Sequence, residues 1–462
     1  MTGSKNRSGN KLRREMEDSL KQYLDLYREH KVLICSKSPN VMNGLREEAF
    51  KVLEEIGLPK KGSENYEVTD LPAMLSPDYG LNIARIPLDF NPSEGFRCSI
   101  PGLGSSLFFQ FNDRLGERRD ARKQLPEGVV IGPISALEEE KEEILERYGK
   151  LASLGNPIVA LNTMLVQDGV YLRVKKGVKC EMPVQFVNML FHTMPLMAAR
   201  RMLIILEEDA SLKIVSCDHT LEKETELASV GVTEIYAGRN SRLELYEVEE
   251  STAMTRRMSA LYLRQEEGSE VRIGSLTLSN GMTRNEYYCT FAGEHSRLDL
   301  VGLGIETAKQ MLDNYSFIDH ASPACYTEEL FKYIADDEAR AGFAGKIYVA
   351  PGAHGTEAYQ SNRNLVGSAT ARIYSKPQLE IYNDDVKCSH GSATGQLDAM
   401  QLFYMRSRGI WEPEAKLLLK QAFMAEVLEK IELKPLYERM RALVDRRLSG
   451  ENASCGNCDI CG

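Results

Sequence analysis

The sequence predicts a mainly β protein with helical ends, and three observations lead there. Short runs alternating apolar and polar residues recur from Met202 to Tyr382, among them Leu212 to Val215, Val230 to Tyr236, Leu243 to Val248, Val271 to Leu278, Tyr287 to Phe291 and Leu298 to Ile305. Alternation with period two is what a half-buried strand requires. Gly, Asn, Asp or Glu punctuates the gaps with almost no helical interval, which excludes a doubly wound α/β sheet, where a helix must join consecutive parallel strands. Towards both ends of the chain the apolar period becomes that of helices. A large sandwich, a propeller and a β-solenoid all fit, and the repeat is too irregular to name a period.

In chain order, Leu20, Tyr23, Leu24 and Tyr27 stand at helical spacing among charges, a solvent-facing amphipathic helix over residues 12–30. Ser38-Pro39-Asn40 opens a second helix carrying Leu45, Phe50, Val52, Leu53 and Ile56, which Gly57 and Pro59 stop. Residues 71–125 give mixed signals and select no fold. The acidic run within Leu137 to Tyr148 predicts a charged helix with a solvated face. After the long β region, Leu261 to Leu263, Tyr315 to Ile318, Lys346 to Val349, Ala371 to Tyr374 and Leu379 to Tyr382 read as further strands, and Gly391 with Gly395 is expected to break the chain before a helix. Pro413 between Glu412 and Glu414 suits a helix start, where the dipole is positive. Leu418, Leu419, Ala422, Phe423, Val427 and Ile431 form its apolar stripe, and a last helix is expected from about Pro435 to Leu448.

At 462 residues the chain exceeds one usual core, so several domains are expected. Its 57 basic and 67 acidic residues give a formal charge of −10, against a general nucleic-acid binder. No apolar run reaches the length of a membrane span, and no apolar segment follows the basic N-terminus as in a secretory signal. Seven of the ten cysteines are scattered singly, which suits a reducing, cytoplasmic setting; Cys455, Cys458 and Cys461 cluster at the end.

The stretch that carries chemistry is Val386-Lys-Cys-Ser-His390. If it is extended, the thiol of Cys388 and the imidazole of His390 project to one side, and both are soft, deprotonatable groups suited to iron, zinc or sulfur chemistry. The surrounding LEIYNDDVKCSHGSATGQLDAMQLFYMRSRGI, residues 379–410, closely resembles the most diagnostic segment of the SufB/SufD family, nearer its SufD branch. Residues 331–371 and 159–186 continue the resemblance. Residues 40–70 are similar more loosely, with Tyr66 and Val68 where larger aromatics are expected.

The resemblance implies a right-handed parallel β-helix core between helical ends, in a scaffold subunit of Suf iron-sulfur cluster assembly that is not itself an enzyme. The expected organisation is an N-terminal helical and mixed region over 1–150, the β-helix over 151–392, a helical ATPase-docking region over 393–449 and a Cys-rich tail over 450–462. The resemblance further implies a SufB-like partner subunit, a SufC-like ABC-type ATPase on the C-terminal helices, and a transient iron-sulfur cluster at the subunit interface. His390 matches the family residue implicated in holding the nascent cluster, with Cys388 its neighbour. The imidazole must be neutral to ligate, so cluster building is expected to weaken as pH falls through its titration. Homodimer in isolation or heterocomplex, and flavin binding, stay open.

Cys455-x2-Cys458-x2-Cys461 has the spacing of thiolates around one metal or cluster, with a fourth ligand required from elsewhere; a redox-active or silent tail is the other reading. It is not part of the SufD pattern. Cys217-Asp-His219 repeats the Cys-x-His spacing and is expected to be a structural pair on another strand. Gly57 to Ser63 lacks the lysine of a phosphate loop, and Gly302 to Thr307 only half resembles a dinucleotide loop. Two rival readings are a SufB-type scaffold, disfavoured because Cys35 is alone in the first 90 residues, and a non-catalytic β-solenoid adaptor that recruits an ATPase. An enzyme such as a polysaccharide lyase would need a carboxylate cluster that no spacing singles out.

Overall fold

The structure, a computed structural model, describes residues 5–86, 100–117 and 121–450. Strands between Ser106 and Gly395 form a 10-stranded and a 9-stranded sheet. From Val184 onward consecutive strands alternate between the two, so that Arg256 lies beside Met282 and Thr356 beside Val386, always in parallel. The architecture is a parallel β-solenoid. Antiparallel pairing closes its N-terminal end, where Phe111 meets Arg114 and Val129 meets Val174. The ambiguous stretch after residue 71 contributes the strand Ser106–Phe111, which stacks in parallel on Val184–Leu190.

Stacking follows from the period-two pattern. Leu245, Ile273 and Leu300 occupy equivalent inward positions on successive coils and bury one another in an apolar column. Each such side chain contributes about 1.5–3 kcal/mol through burial. Part of the interior is polar and internally paired: Asn285 Nδ2 donates to Asn314 Oδ1 at 2.9 Å, and Asn314 Nδ2 to the Tyr333 hydroxyl at 2.7 Å.

One corner explains why no repeat is legible. Asp209, Asn240, Gly268, His295, Ala324 and Gly355 all have φ between 54° and 70°. They stack one per coil, each N–H donating to a carbonyl of the coil above, as Asn240 does to Glu267 and Gly268 to Glu294. Glycine, asparagine and aspartate tolerate that conformation, but His295 and Ala324 adopt it because the surrounding ladder imposes it. The corner therefore has a common geometry without a common residue.

Helices cover the outer faces. Lys5–Ser36, Asn40–Ile56 and Pro157–Leu165 lie over the 9-stranded sheet, burying Tyr23, Tyr27, Met42 and Leu53. The helix Pro157–Leu165 was not expected: all nine of its residues are buried, so it carries no polar face to betray its period. Asn156 caps it, its side-chain oxygen accepting from Ile158 N–H at 2.8 Å. The helices Glu412–Leu428 and Lys434–Leu448 close the 10-stranded sheet. Here the expected stripe is corrected in part. Phe423, Val427 and Ile431 pack on the sheet as expected, joined by Met424 and Leu428, while Leu418 and Ala422 are exposed; Lys332, from the sheet, donates to the Phe423 carbonyl at 2.8 Å. Nor is the acidic run simply solvated: Glu140 is buried and accepts from Tyr171 and Arg173, both at 2.8 Å.

Buried ions fasten the N-terminal region to the solenoid. Arg284 Nε meets Glu286 at 3.0 Å and its Nη1 meets Asp313 at 2.8 Å. Tyr66 O–H donates to Glu286 at 2.8 Å, Thr69 O–H to Asp313 at 2.6 Å, and the guanidinium lies 4.4 Å from the Tyr66 ring centroid.

Glu306 is a different case, fully buried with both carboxylate oxygens lacking a hydrogen-bond partner. Burial, then the charge of Glu249, pushes it up to about 8 from an ordinary 4.5. A folded-state value above the unfolded one means that the group's contribution is fully present below about pH 4.5 and is lost as pH rises toward 8. Glu306→Gln should therefore flatten that decline and stabilise the protein at pH 8 by on the order of a few kcal/mol. Urea unfolding of both proteins at several pH values measures this; parallel pH profiles would show that Glu306 does not titrate in this range.

Candidate functional site

The solenoid ends at two strands, Arg372–Ile381 and Val386–Gly395, which are the terminal members of the two sheets. Gly391 does not break the chain. The strand continues to Gly395 because its ladder partners run on: Gly391 lies beside Ser361 and Gly395 beside Leu365. The helix Ala399–Ser407 starts at Asp398, whose side chain accepts from Met400 N–H at 2.8 Å.

Extension through residue 395 puts Cys388 and His390 on one face, as alternation requires. Their ladder partners, Ala358 and Gln360, are both buried, which identifies this face as the inward one. Because no further coil among the described residues caps the rung, the same face is accessible. His390 is exposed; Cys388 is half-buried against the apolar column, and burial raises its thiol above the ordinary range. Alongside, Ser392 Oγ donates to Ser375 Oγ across the two sheets at 2.7 Å, and Ile381, Tyr374 and Tyr382 are exposed. Lys387 pairs with Glu357 at 2.7 Å on the outward face.

Thiol and imidazole are a chemically coherent pair of iron or sulfide ligands, but two groups do not complete a coordination shell. Among the described residues no group of three or more His, Cys, Asp or Glu side chains comes together to hold a metal ion. The geometry thus presents one thiol and one imidazole side by side at the open end of the solenoid.

The other candidates lie elsewhere. Cys217 and His219 share a strand, as expected, but Cys217 is buried under the C-terminal helices and His219 lies 3.9 Å from Glu250. His320 is sealed in the interior against Phe291, with centroids 4.5 Å apart, and burial pushes it down to about 3. Cys455, Cys458 and Cys461 lie outside the described residues. Sequence reasoning missed Gln360 and Glu329, directly below His390 in the column. The signal that could have found them is the coil offset, which places residue 360 under 390.

The fold is thus a parallel β-solenoid whose last rung presents Cys388 and His390, with helices folded back on its flank. The chain matches the sequence family "SUF system FeS cluster assembly, SufBD core domain" over residues 191–423 and "SufBD protein N-terminal region" over residues 17–186. It belongs to the SufB/SufD family of iron-sulfur cluster assembly proteins. Its relatives include an iron-sulfur cluster assembly SufBD family protein of Synechocystis, 28% identical over 90% of this chain and 93% of that protein. SufD of Bacillus subtilis is 22% identical over 89% of this chain and 95% of that protein. SufD of Escherichia coli is 36% identical over a shorter stretch, 38% of this chain and 42% of that protein.

Proposed function

We propose that this chain is the SufD-like scaffold subunit of a Suf complex, without catalytic activity of its own, working in the cytoplasm beside a SufB-like subunit and a SufC-like ABC-type ATPase. The observation that carries the reading is the exposed His390 with half-buried Cys388 on an uncapped rung. A second subunit seated there would both satisfy the free strand edges and supply the missing ligands, so that an iron-sulfur cluster could be built between the two chains as cargo. Docking of the ATPase on the C-terminal helices is supported by Ala399–Ser407, which buries none of its residues and leaves Met400, Phe403 and Tyr404 exposed, with Trp411 just beyond. No helix among the described residues is long and apolar enough to cross a membrane. The tail thiols Cys455, Cys458 and Cys461 are proposed as an auxiliary metal site.

The reading is tested by co-expressing the tagged chain with SufB-like and SufC-like proteins. Both should co-purify, and Phe403→Ser with Trp411→Ser should release the ATPase while retaining the SufB-like subunit. Recovery of the chain without a SufB-like partner under anaerobic conditions would contradict it.

A further inference from the structure

Below His390 the inward column is polar. Glu329, Gln360 and His390 occupy the same register position on three successive coils of the 10-stranded sheet. Glu329 and Gln360 are 1% and 2% exposed, so neither is solvated, whereas His390 reaches the open end. Gln360 Nε2 donates to Glu329 Oε2 at 2.6 Å. A carboxylate only accepts, so it fixes which way the amide faces: nitrogen toward Glu329, carbonyl away from it. That carbonyl oxygen, Gln360 Oε1, is buried and has no hydrogen-bond partner. Space for the amide is kept by Gly345 across the interior, where a Cβ would stand 2.4 Å from Gln360 Nε2 and 2.9 Å from Ser316 Oγ.

A buried carbonyl left unpaired costs about 1–3 kcal/mol, and the next side chain in its column is an imidazole. We propose that Gln360, oriented by Glu329, is a positioning residue for His390: its Oε1, unpaired in the orientation the exposed ring adopts here, accepts the N–H of one ring nitrogen once that ring turns onto it, and so fixes the tautomer that leaves the other nitrogen outward as a ligand. The inference rests on His390 being a ligand of the scaffold. Metal-binding histidines are commonly oriented this way by an acceptor on the far nitrogen, and the relay carboxylate, amide, imidazole supplies it through the solenoid's own register. The Glu329 charge strengthens the relay only indirectly, by denying Gln360 the flipped orientation; a glutamine in its place could pair with either end of the Gln360 amide.

The test reads the imidazole directly, without iron. The full-length chain is labelled with nitrogen-15 histidine; it contains seven histidines, and the His390 signals are assigned by their loss in His390→Ala. Long-range nitrogen–proton correlation spectra are recorded above about pH 8, where Glu329, pushed up to about 7 by burial, is ionised. Wild-type His390 should show one neutral tautomer, one nitrogen protonated and the other bare. Gln360→Leu should give a mixture of both tautomers, as should Glu329→Gln. Cluster yield in cells should fall by about tenfold or more in Gln360→Leu. Averaged tautomers in the wild type would overturn the proposal even if neither variant folds, as would a single unchanged tautomer in a folded Gln360→Leu. Normal cluster yield in His390→Ala would instead sink the scaffold reading while leaving the tautomer result standing.

Discussion

His390→Ala should reduce iron-sulfur cluster accumulation in cells by at least about tenfold while the protein folds and assembles normally. The two halves of that result come from the same geometry. The imidazole is exposed on the last rung, so its removal creates no cavity and is expected to cost no more than about 1–3 kcal/mol, that of leaving the buried Gln360 carbonyl unpaired. The same exposure makes it available to iron, and Cys388, already counted in the same partial set, cannot fill the position a lost imidazole leaves. Acid-labile sulfide and iron measured in the purified complex, with a thermal melt of the same sample, separate the two. Unchanged metal and sulfide would remove His390 from the chemistry; a large drop in melting temperature would make it a structural residue.

Arg284→Met should cost about 3–5 kcal/mol, the largest stability loss expected from a single change outside the apolar core. Arg284 is fully buried, and Glu286 and Asp313 beside it are likewise sealed from water. Asp313 already lies above its ordinary range through burial, even with Arg284 and Thr69 holding it down. Without the guanidinium, two buried carboxyls lose their counter-charge, and they can be accommodated only by taking up protons. The deficit should therefore shrink as pH falls toward the ordinary carboxylate range, because protonation then costs nothing extra. It should also be local. Tyr66 and Thr69 bond to those carboxyls, so the segment around them should become sensitive to proteolysis before the solenoid unfolds. Urea unfolding and limited proteolysis across pH check both parts; a loss below about 1 kcal/mol would show that the network is not under electrostatic demand.

Much of the fold is written in local pattern. Strands such as Leu298 to Ile305 and Tyr287 to Phe291 were legible because each alternates along its length, and Asn40–Ile56 because its apolar face, Gly57 and Pro59 bound it. What was not legible shares one cause. Pro157–Leu165 is buried on all sides and so has no periodic contrast; Leu418 is exposed because the side of its helix that lies on the sheet is the one carrying Met424 and Leu428, and the sheet residues it meets are far away in sequence. Gly391 reads as a break in isolation and is held in a strand by its neighbour on the previous coil.

The candidate site divides the same way. Alternation by itself determined that Cys388 and His390 share a face, since adjacent odd or even positions of any strand do so whatever surrounds them. Only the tertiary structure decided that this face is the solenoid's inward one laid open at its end, with Gln360 and Glu329 beneath. That choice depends on coil offsets that vary, Arg256 pairing with Met282 but Arg340 with Arg372, and an offset is fixed by stacking against the preceding coil. Short-range pattern encodes which way a side chain points; long-range packing fixes what it points at.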